Sequence, residues 1–252
     1  MAYEVKHEER YRYFEEGEGT PVILLHGLFG SLSNFDTIID YFKGKYKLLV
    51  PLLPLYTLEV DQTNIQNMVD YVSTFIDYKG LDKVHLVGNS LGGHIAQIYT
   101  LAKPEKVLTI TLTGSSGLFE NSLGDTYPRK SDYEFVRGKT EEAFYDPSHA
   151  TKEQVDEVYD VVNNRHTAIR MVVLAKSAVR HNLRDEIPNI QQPVCLIWGA
   201  DDRITPPFVA EEFNKLLTNS EVHILPKCGH APMMEQPKLF NEILERFLEK
   251  NN

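Results

Sequence analysis

The chain has 252 residues, 42% hydrophobic, 10% aromatic and 25% charged, with 15 Gly and 13 Pro. Those fractions exclude a disordered, collagen-like or low-complexity chain and suit a single α/β domain with a large core. With 26 basic against 36 acidic side chains and a formal charge of −10, a nucleic-acid partner is not expected, because displacing counterions from phosphates needs a basic surface. Two cysteines, Cys195 and Cys228, make no disulfide framework and suit a reducing compartment. Residues 1–14 carry no apolar core for export, and the longest apolar stretch, around residues 48–56, holds two prolines. A soluble cytoplasmic domain without a membrane partner is the expectation.

In chain order, residues 3–7 and 10–15 read as a polar strand pair at a sheet edge. Dense apolar runs follow at 22–25, 47–50, 83–87, 107–113 and 194–198. Such runs suit parallel strands covered on both faces. Between them, Ile65, Met68, Val69, Val72, Phe75 and Ile76 recur at helical spacing, with Gly80 near the stop. A helix over 91–102 follows the 83–87 strand directly, and a short strand is expected at 221–225. Pro237 opens a last helix carrying Leu239, Phe240, Ile243, Leu244, Phe247 and Leu248. The alternation predicts an open, mostly parallel sheet with helices on both faces.

Residues 119–183 break that alternation, holding helical patterns and no convincing strand. Thr151 and Gln154 form a capping-box signature before Val155, Val158, Tyr159 and Val162, and a second pattern runs over 167–183. The predicted division is a core of residues 1–118 and 184–252, with 119–183 inserted as a helical cap over the carboxyl edge of the sheet.

The pentapeptide Gly88-Asn89-Ser90-Leu91-Gly92 has the G-x-S-x-G pattern, with a strand before it and a helix after. A nucleophile on such a turn has strained dihedrals and close neighbours, so glycines flank it. Serine needs a base to take its proton and an acid to orient that base. Asp201 and Asp202 end a strand downstream, and His230 follows Cys228-Gly229 in a late loop. His26 is the rival base, but it precedes the serine. The glycine-bearing loop from His26 to Ser31 can aim backbone N–H groups at a developing oxyanion. Leu28 and Leu91 N–H are the expected pair, with Phe29 as substitute for Leu28.

Together HGLFGS, GNSLGG, WGADDRITP and CGHAPMMEQP resemble, in this order, the α/β-hydrolase superfamily from about residue 20 onward. The resemblance implies the α/β-hydrolase fold and places the acid on Asp202, since Gly-x-x-Asp with proline four residues on falls on Gly199, Asp202 and Pro206. Asp201 is the fallback. Glu235 matches a frequent acidic position after the family's histidine and is read as structural. Two departures stand out. The loop after the strand at 47–50 reads Val50-Pro51-Leu52-Leu53-Pro54-Leu55-Tyr56 without the usual glycines. Some motifs are similar to the meta-cleavage C–C hydrolases, yet Ala231 stands where those enzymes usually carry tryptophan.

The resulting expectation is a serine hydrolase cleaving small carboxylic esters through Ser90, His230 and Asp202, with no cofactor and no metal. Phe29, Phe144 and Tyr159 are candidates to line the substrate pocket, among the aromatics Phe119, Tyr127, Tyr133, Phe135 and Tyr145. The alternatives are a C–C hydrolase of diketone acids, for which a cap arginine (Arg165, Arg170, Arg180 or Arg184) would discriminate, and a non-catalytic receptor on the same scaffold.

Overall fold

A computed structural model describes residues 3–119 and 129–252. The apolar runs form one eight-stranded sheet of order β1-β2-β4-β3-β5-β6-β7-β8. Its strands are β1 (Lys6–Glu8), β2 (Tyr11–Glu16), β3 (Pro21–Leu25), β4 (Lys47–Pro51), β5 (Val84–Asn89), β6 (Val107–Thr113), β7 (Val194–Gly199) and β8 (Ser220–Leu225). The pairings β1–β2 and β2–β4 are antiparallel, and every pairing from β4 across to β8 is parallel. The polar pair at the N-terminal end thus supplies the edge.

Alternation along the strands divides the core in two. Val22, Leu24, Leu48, Val50 and Ile197 face helices α1 (Asp36–Phe42) and α9 (Pro237–Lys250), which bring Ile38, Phe42, Phe240, Leu244 and Phe247. Ile23, Leu25, Leu49, Leu86 and Leu196 face α2 (Ile65–Tyr78), α3 (Leu91–Ala102) and α7 (Phe208–Leu216). Each fully buried Leu, Ile or Phe contributes about 1.5–3 kcal/mol, so coverage of both faces makes a sheet of this kind stable. Helix α2 begins where Asn64 accepts from Asn67 N at 2.9 Å and ends just before Gly80, at φ +63°.

Between β6 and β7 run α4 (Tyr133–Glu141), α5 (Lys152–Asn163) and α6 (Arg165–Arg180). The Thr151–Gln154 capping box is formed in both directions. Helix α6 starts two residues before and ends three residues before the span read from periodicity, because Asn164 caps it by accepting from His166 N at 2.9 Å. Val136, Val158, Val162 and Met171 make a small apolar cluster of their own. The chain leaves the sheet and returns to it at adjacent points, where Leu183 N donates to Gly117 O and Asn182 Nδ2 to Leu118 O. Residues 120–128, within the expected insertion, lie outside the described residues. No helix among those described is long and apolar enough to cross a membrane.

At the antiparallel end, Glu15 takes ammonium groups from Lys79 at 2.7 Å, Lys47 at 2.9 Å and Lys6 at 3.1 Å. Burial raises its carboxyl, but the three lysines outweigh burial and hold it at about 2. A depressed folded pKa gives stability that is complete above the unfolded value of about 4.3. That stability is lost as pH falls toward about 2. Glu15→Gln is therefore expected to lower stability at pH 7 by about 1.5–3 kcal/mol. Denaturant melts across pH should show the gap from the parent protein narrowing over that acid window.

Candidate active site

Strand β5 turns into α3 through Ser90, which sits at φ 55°, ψ −119°. A non-glycine residue held there carries strain of about 1–3 kcal/mol, so its surroundings must enforce it. Ser90 N donates to Thr113 O at 3.0 Å, and Ser90 O accepts from Gly93 N at 3.0 Å and Ser116 N at 3.2 Å. Backbone crowding explains the glycines. A Cβ on Gly88 would lie 2.5 Å from Gly92 O, and one on Gly92 would lie 2.0 Å from Leu25 O.

Asp202 follows β7 and its side chain is wholly buried. Its Oδ1 accepts from Ile204 N at 2.8 Å and Thr205 N at 2.9 Å. Its Oδ2 accepts from Thr205 Oγ1 at 3.0 Å and meets His230 Nδ1 at 2.9 Å. With a carboxylate there, Nδ1 carries the proton and Nε2 is left as the acceptor nitrogen. Asp201 is exposed, and its backbone N–H donates to Cys228 O. Of the two aspartates, Asp202 is therefore the one bonded to the imidazole.

His230 is also held through its backbone, with N donating to Ala143 O at 2.7 Å and O accepting from Asn89 Nδ2 at 3.0 Å. Gly114, at φ +50°, leaves room for the ring, since a Cβ there would stand 2.7 Å from Nδ1. Thr205, Asn89 and Gly114 were not among the residues picked out from sequence. Gly114 lies in the Gly-Ser-Ser-Gly run after β6, so glycine beside a strand end was the available signal.

Ser90, His230, Leu28, Leu91, Phe29 and Phe144 line one cavity of about 450 Å³. The turn from Gly27 to Gly30, closed by Gly30 N donating to Gly27 O at 3.1 Å, lies directly against the serine. A Cβ on Gly27 would be 3.0 Å from Ser90 Cβ. Leu91 N opens helix α3, where free N–H groups and the helix dipole favour negative charge. Val158, Ala175 and Ala178, from α5 and α6, supply apolar wall on the other side.

Tyr159 is a correction, for it is not among the lining residues described. Its ring packs on Tyr133 at 5.3 Å and its hydroxyl donates to Ser131 O. Phe119 packs on Phe208 instead of entering the cavity, and Tyr127 lies outside the described residues. His26 is a brace. Leu53 N donates to its Nε2 at 3.1 Å, so Nδ1 is the protonated nitrogen and donates to Gly27 O at 2.9 Å. Burial drives its pKa down, which keeps the imidazole neutral for that role. The glycine-poor loop after β4 thus supports the 26–31 loop, and Tyr56 adds a hydrogen bond from its hydroxyl to Leu28 O.

Cys228 is buried, and burial raises its thiol pKa. Cys195, Glu221 and His223 bring ligand atoms within 4.8 Å of one another. They sit toward the amino ends of β7 and β8, opposite the cavity's edge of the sheet. Glu221 is already engaged by His223 at 3.0 Å and Lys250 at 3.8 Å, and burial keeps the Cys195 thiol protonated. These three residues add nothing to the chemistry at Ser90.

Comparison with known proteins agrees with this architecture. Residues 22–243 match the family described as "Alpha/beta hydrolase family". A solved alpha/beta hydrolase enzyme, MGS-MChE2, from the metagenome of sediments of the Mar Chica lagoon, Morocco, is 42% identical with a TM-score of 0.82, over 98% of both chains. A 2-hydroxy-6-oxononadienedioate/2-hydroxy-6-oxononatrienedioate hydrolase of Paraburkholderia phymatum is 28% identical over 96% of this chain and 91% of its own. The monoacylglycerol lipase ABHD6 of Mus musculus is 22% identical over 98% of this chain and 82% of its own. With a family match running from β3 into α9 and a strained serine at the turn from β5 to α3, the chain belongs to the alpha/beta hydrolase family.

Proposed function

We propose that the protein is a serine esterase acting on small carboxylic esters. The observation that carries this reading is the 2.9 Å bond from His230 to a fully buried, fully hydrogen-bonded Asp202, with imidazole and strained serine lining one cavity. Ser90 Oγ attacks the ester carbonyl while His230 Nε2 takes its proton, and Asp202 stabilises the imidazolium that forms. The tetrahedral oxyanion is met by Leu28 and Leu91 N–H, the second backed by the helix dipole. His230 then protonates the departing alcohol, activates water against the acyl-enzyme, and the acid leaves.

An ester is favoured over a diketone acid by what lines the cavity. Leu28, Phe29, Phe144, Val158, Ala175 and Ala178 give an apolar wall suited to an acyl chain. None of Arg165, Arg170, Arg180 and Arg184 is among the lining residues described, whose cations are Lys139, paired with Glu142 at 2.8 Å, and Arg203. Arg170 donates to Leu58 O and His166 O, and Arg184 pairs with Glu212 at 3.5 Å.

Ser90→Ala is expected to abolish hydrolysis of nitrophenyl esters with the fold retained, and a fluorophosphonate should label Ser90 in the parent protein. Asp202→Asn should reduce kcat by roughly 10³–10⁴-fold, whereas Asp201→Asn stays within a few-fold. The reverse ranking would move the acid. A receptor would turn over neither ester nor a meta-cleavage product, and a C–C hydrolase would prefer the latter.

The walls from α5 and α6 should set chain length. Ala175→Leu and Ala178→Leu each add three carbons to the cavity, so kcat/KM for long acyl chains should fall relative to acetate. About 1–3 kcal/mol of discrimination is expected for groups of this size. A nitrophenyl ester series of increasing length measures it, and an unchanged profile counts against this placement.

A further inference from the structure

Glu235 closes the short helix α8 (Pro232–Glu235), five residues after His230. Its two carboxylate oxygens reach different parts of the chain. Oε1 accepts from Gly229 N at 2.7 Å, on the residue immediately before His230. Oε2 accepts from Tyr145 N at 2.7 Å and from Asp146 N at 3.3 Å, both in the segment between α4 and α5. That segment returns the contact, since Ala143 O accepts from His230 N. The two stretches lie so close that a Cβ on Gly229 would fall 2.6 Å from Ala143 O and 2.9 Å from Phe144 Cα. Phe144, in the middle of this segment, lines the cavity. One carboxylate therefore fastens the histidine's loop to the stretch of chain that carries a cavity wall.

We infer that Glu235 is a positioning residue, whose carboxylate sets the placement of His230 by clamping residues 228–230 to residues 143–146. The inference rests on the reading of His230 as the base. Both oxygens must be acceptors for the clamp to close. Glutamine keeps the size but offers one oxygen and one NH2, and the NH2 would face an N–H on one arm. Aspartate keeps the charge but is one methylene short of spanning both arms. Either change frees one side of the clamp, and a displacement of about 1 Å in a reacting group is enough for a loss near 100-fold.

The test is a double-mutant cycle on nitrophenyl acetate, with each rate taken well below that protein's own melting temperature. Glu235→Gln and Glu235→Asp are expected to lower kcat by about 10- to 100-fold, to leave KM within about threefold, and to slow fluorophosphonate labelling of Ser90 in parallel. In a His230→Ala background, where there is no imidazole to place, Glu235→Gln should change the residual rate by less than about twofold. A lower melting temperature with unchanged kcat would overturn the inference and leave the Ser90–His230 reading standing. So would an equal loss in both backgrounds. Failure of that underlying reading would show separately, as unchanged turnover in Ser90→Ala or His230→Ala alone.

Discussion

At Gly92 the backbone of α3 runs so close to the end of β3 that any Cβ would sit 2.0 Å from Leu25 O. That approach fixes where α3 starts relative to the two central strands. It makes the turn before the helix sharp and holds Ser90 at a positive φ. It also brings the loop after β3 against the serine, since Gly27 follows Leu25 by two residues and a Cβ on it would lie 3.0 Å from Ser90 Cβ. Strand order adds the rest. The chain leaves β3 toward β4 on one side and leaves β5 toward β6 on the other, which opens a crevice at the carboxyl ends of β3 and β5. Serine, helix N-terminus and the turn from Gly27 to Gly30 meet in that crevice.

His230 reaches the same place by a different route. Its loop follows β8, an edge strand paired with β7, and backbone bonding between the two reaches Cys228, whose O accepts from Asp201 N, two residues short of the histidine. It is held instead by individual hydrogen bonds. Asn89, beside the serine, donates to its carbonyl; Ala143 O accepts from its N–H; Asp202 Oδ2 accepts from its Nδ1–H. Asp202 in turn is locked by two backbone N–H groups and the Thr205 hydroxyl. A buried carboxylate with four such contacts has its desolvation offset by charge-assisted bonds and stays in place. The Asp202 carboxylate is the rigid partner, and the imidazole is placed by what surrounds it.

This division explains what could be read from sequence. The serine turn is local: strand, glycines and helix lie within one continuous stretch, and chemistry and spacing both mark it. Chain order and loop position point to His230, the family resemblance points to Asp202, and the structure joins the two by a 2.9 Å bond. Gly114, Thr205 and the two arms of Glu235 matter through contacts between segments far apart in the chain, and periodicity carries no trace of those. Short helices escaped for another reason. Helices α1 and α7 have 7 and 9 residues, too few turns for an apolar stripe to stand out. Tyr159 shows the limit of a helical face. It follows Val158 by one residue, about 100° around the axis. Val158 therefore meets the cavity while Tyr159 turns to Tyr133 of α4.

The two sides of the cavity rest only in part on different apolar clusters. Ser90, Asp202 and His230 stand on loops from a sheet whose faces are packed by the two large clusters. The walls facing them come from α5 and α6, which share the small group of Val136, Val158, Val162 and Met171, while Leu174 and Ala178 of α6 pack into the large cluster with α2 and α3. Phe144 is tied to the other large cluster, for it lies in the α4–α5 segment yet packs with Cys228, Ala231 and Met233. It is the point where the volume of the cavity and the placement of the imidazole depend on the same stretch of backbone. A substitution at Phe144 therefore bears on both, whereas Val158 meets the cavity from the small cluster.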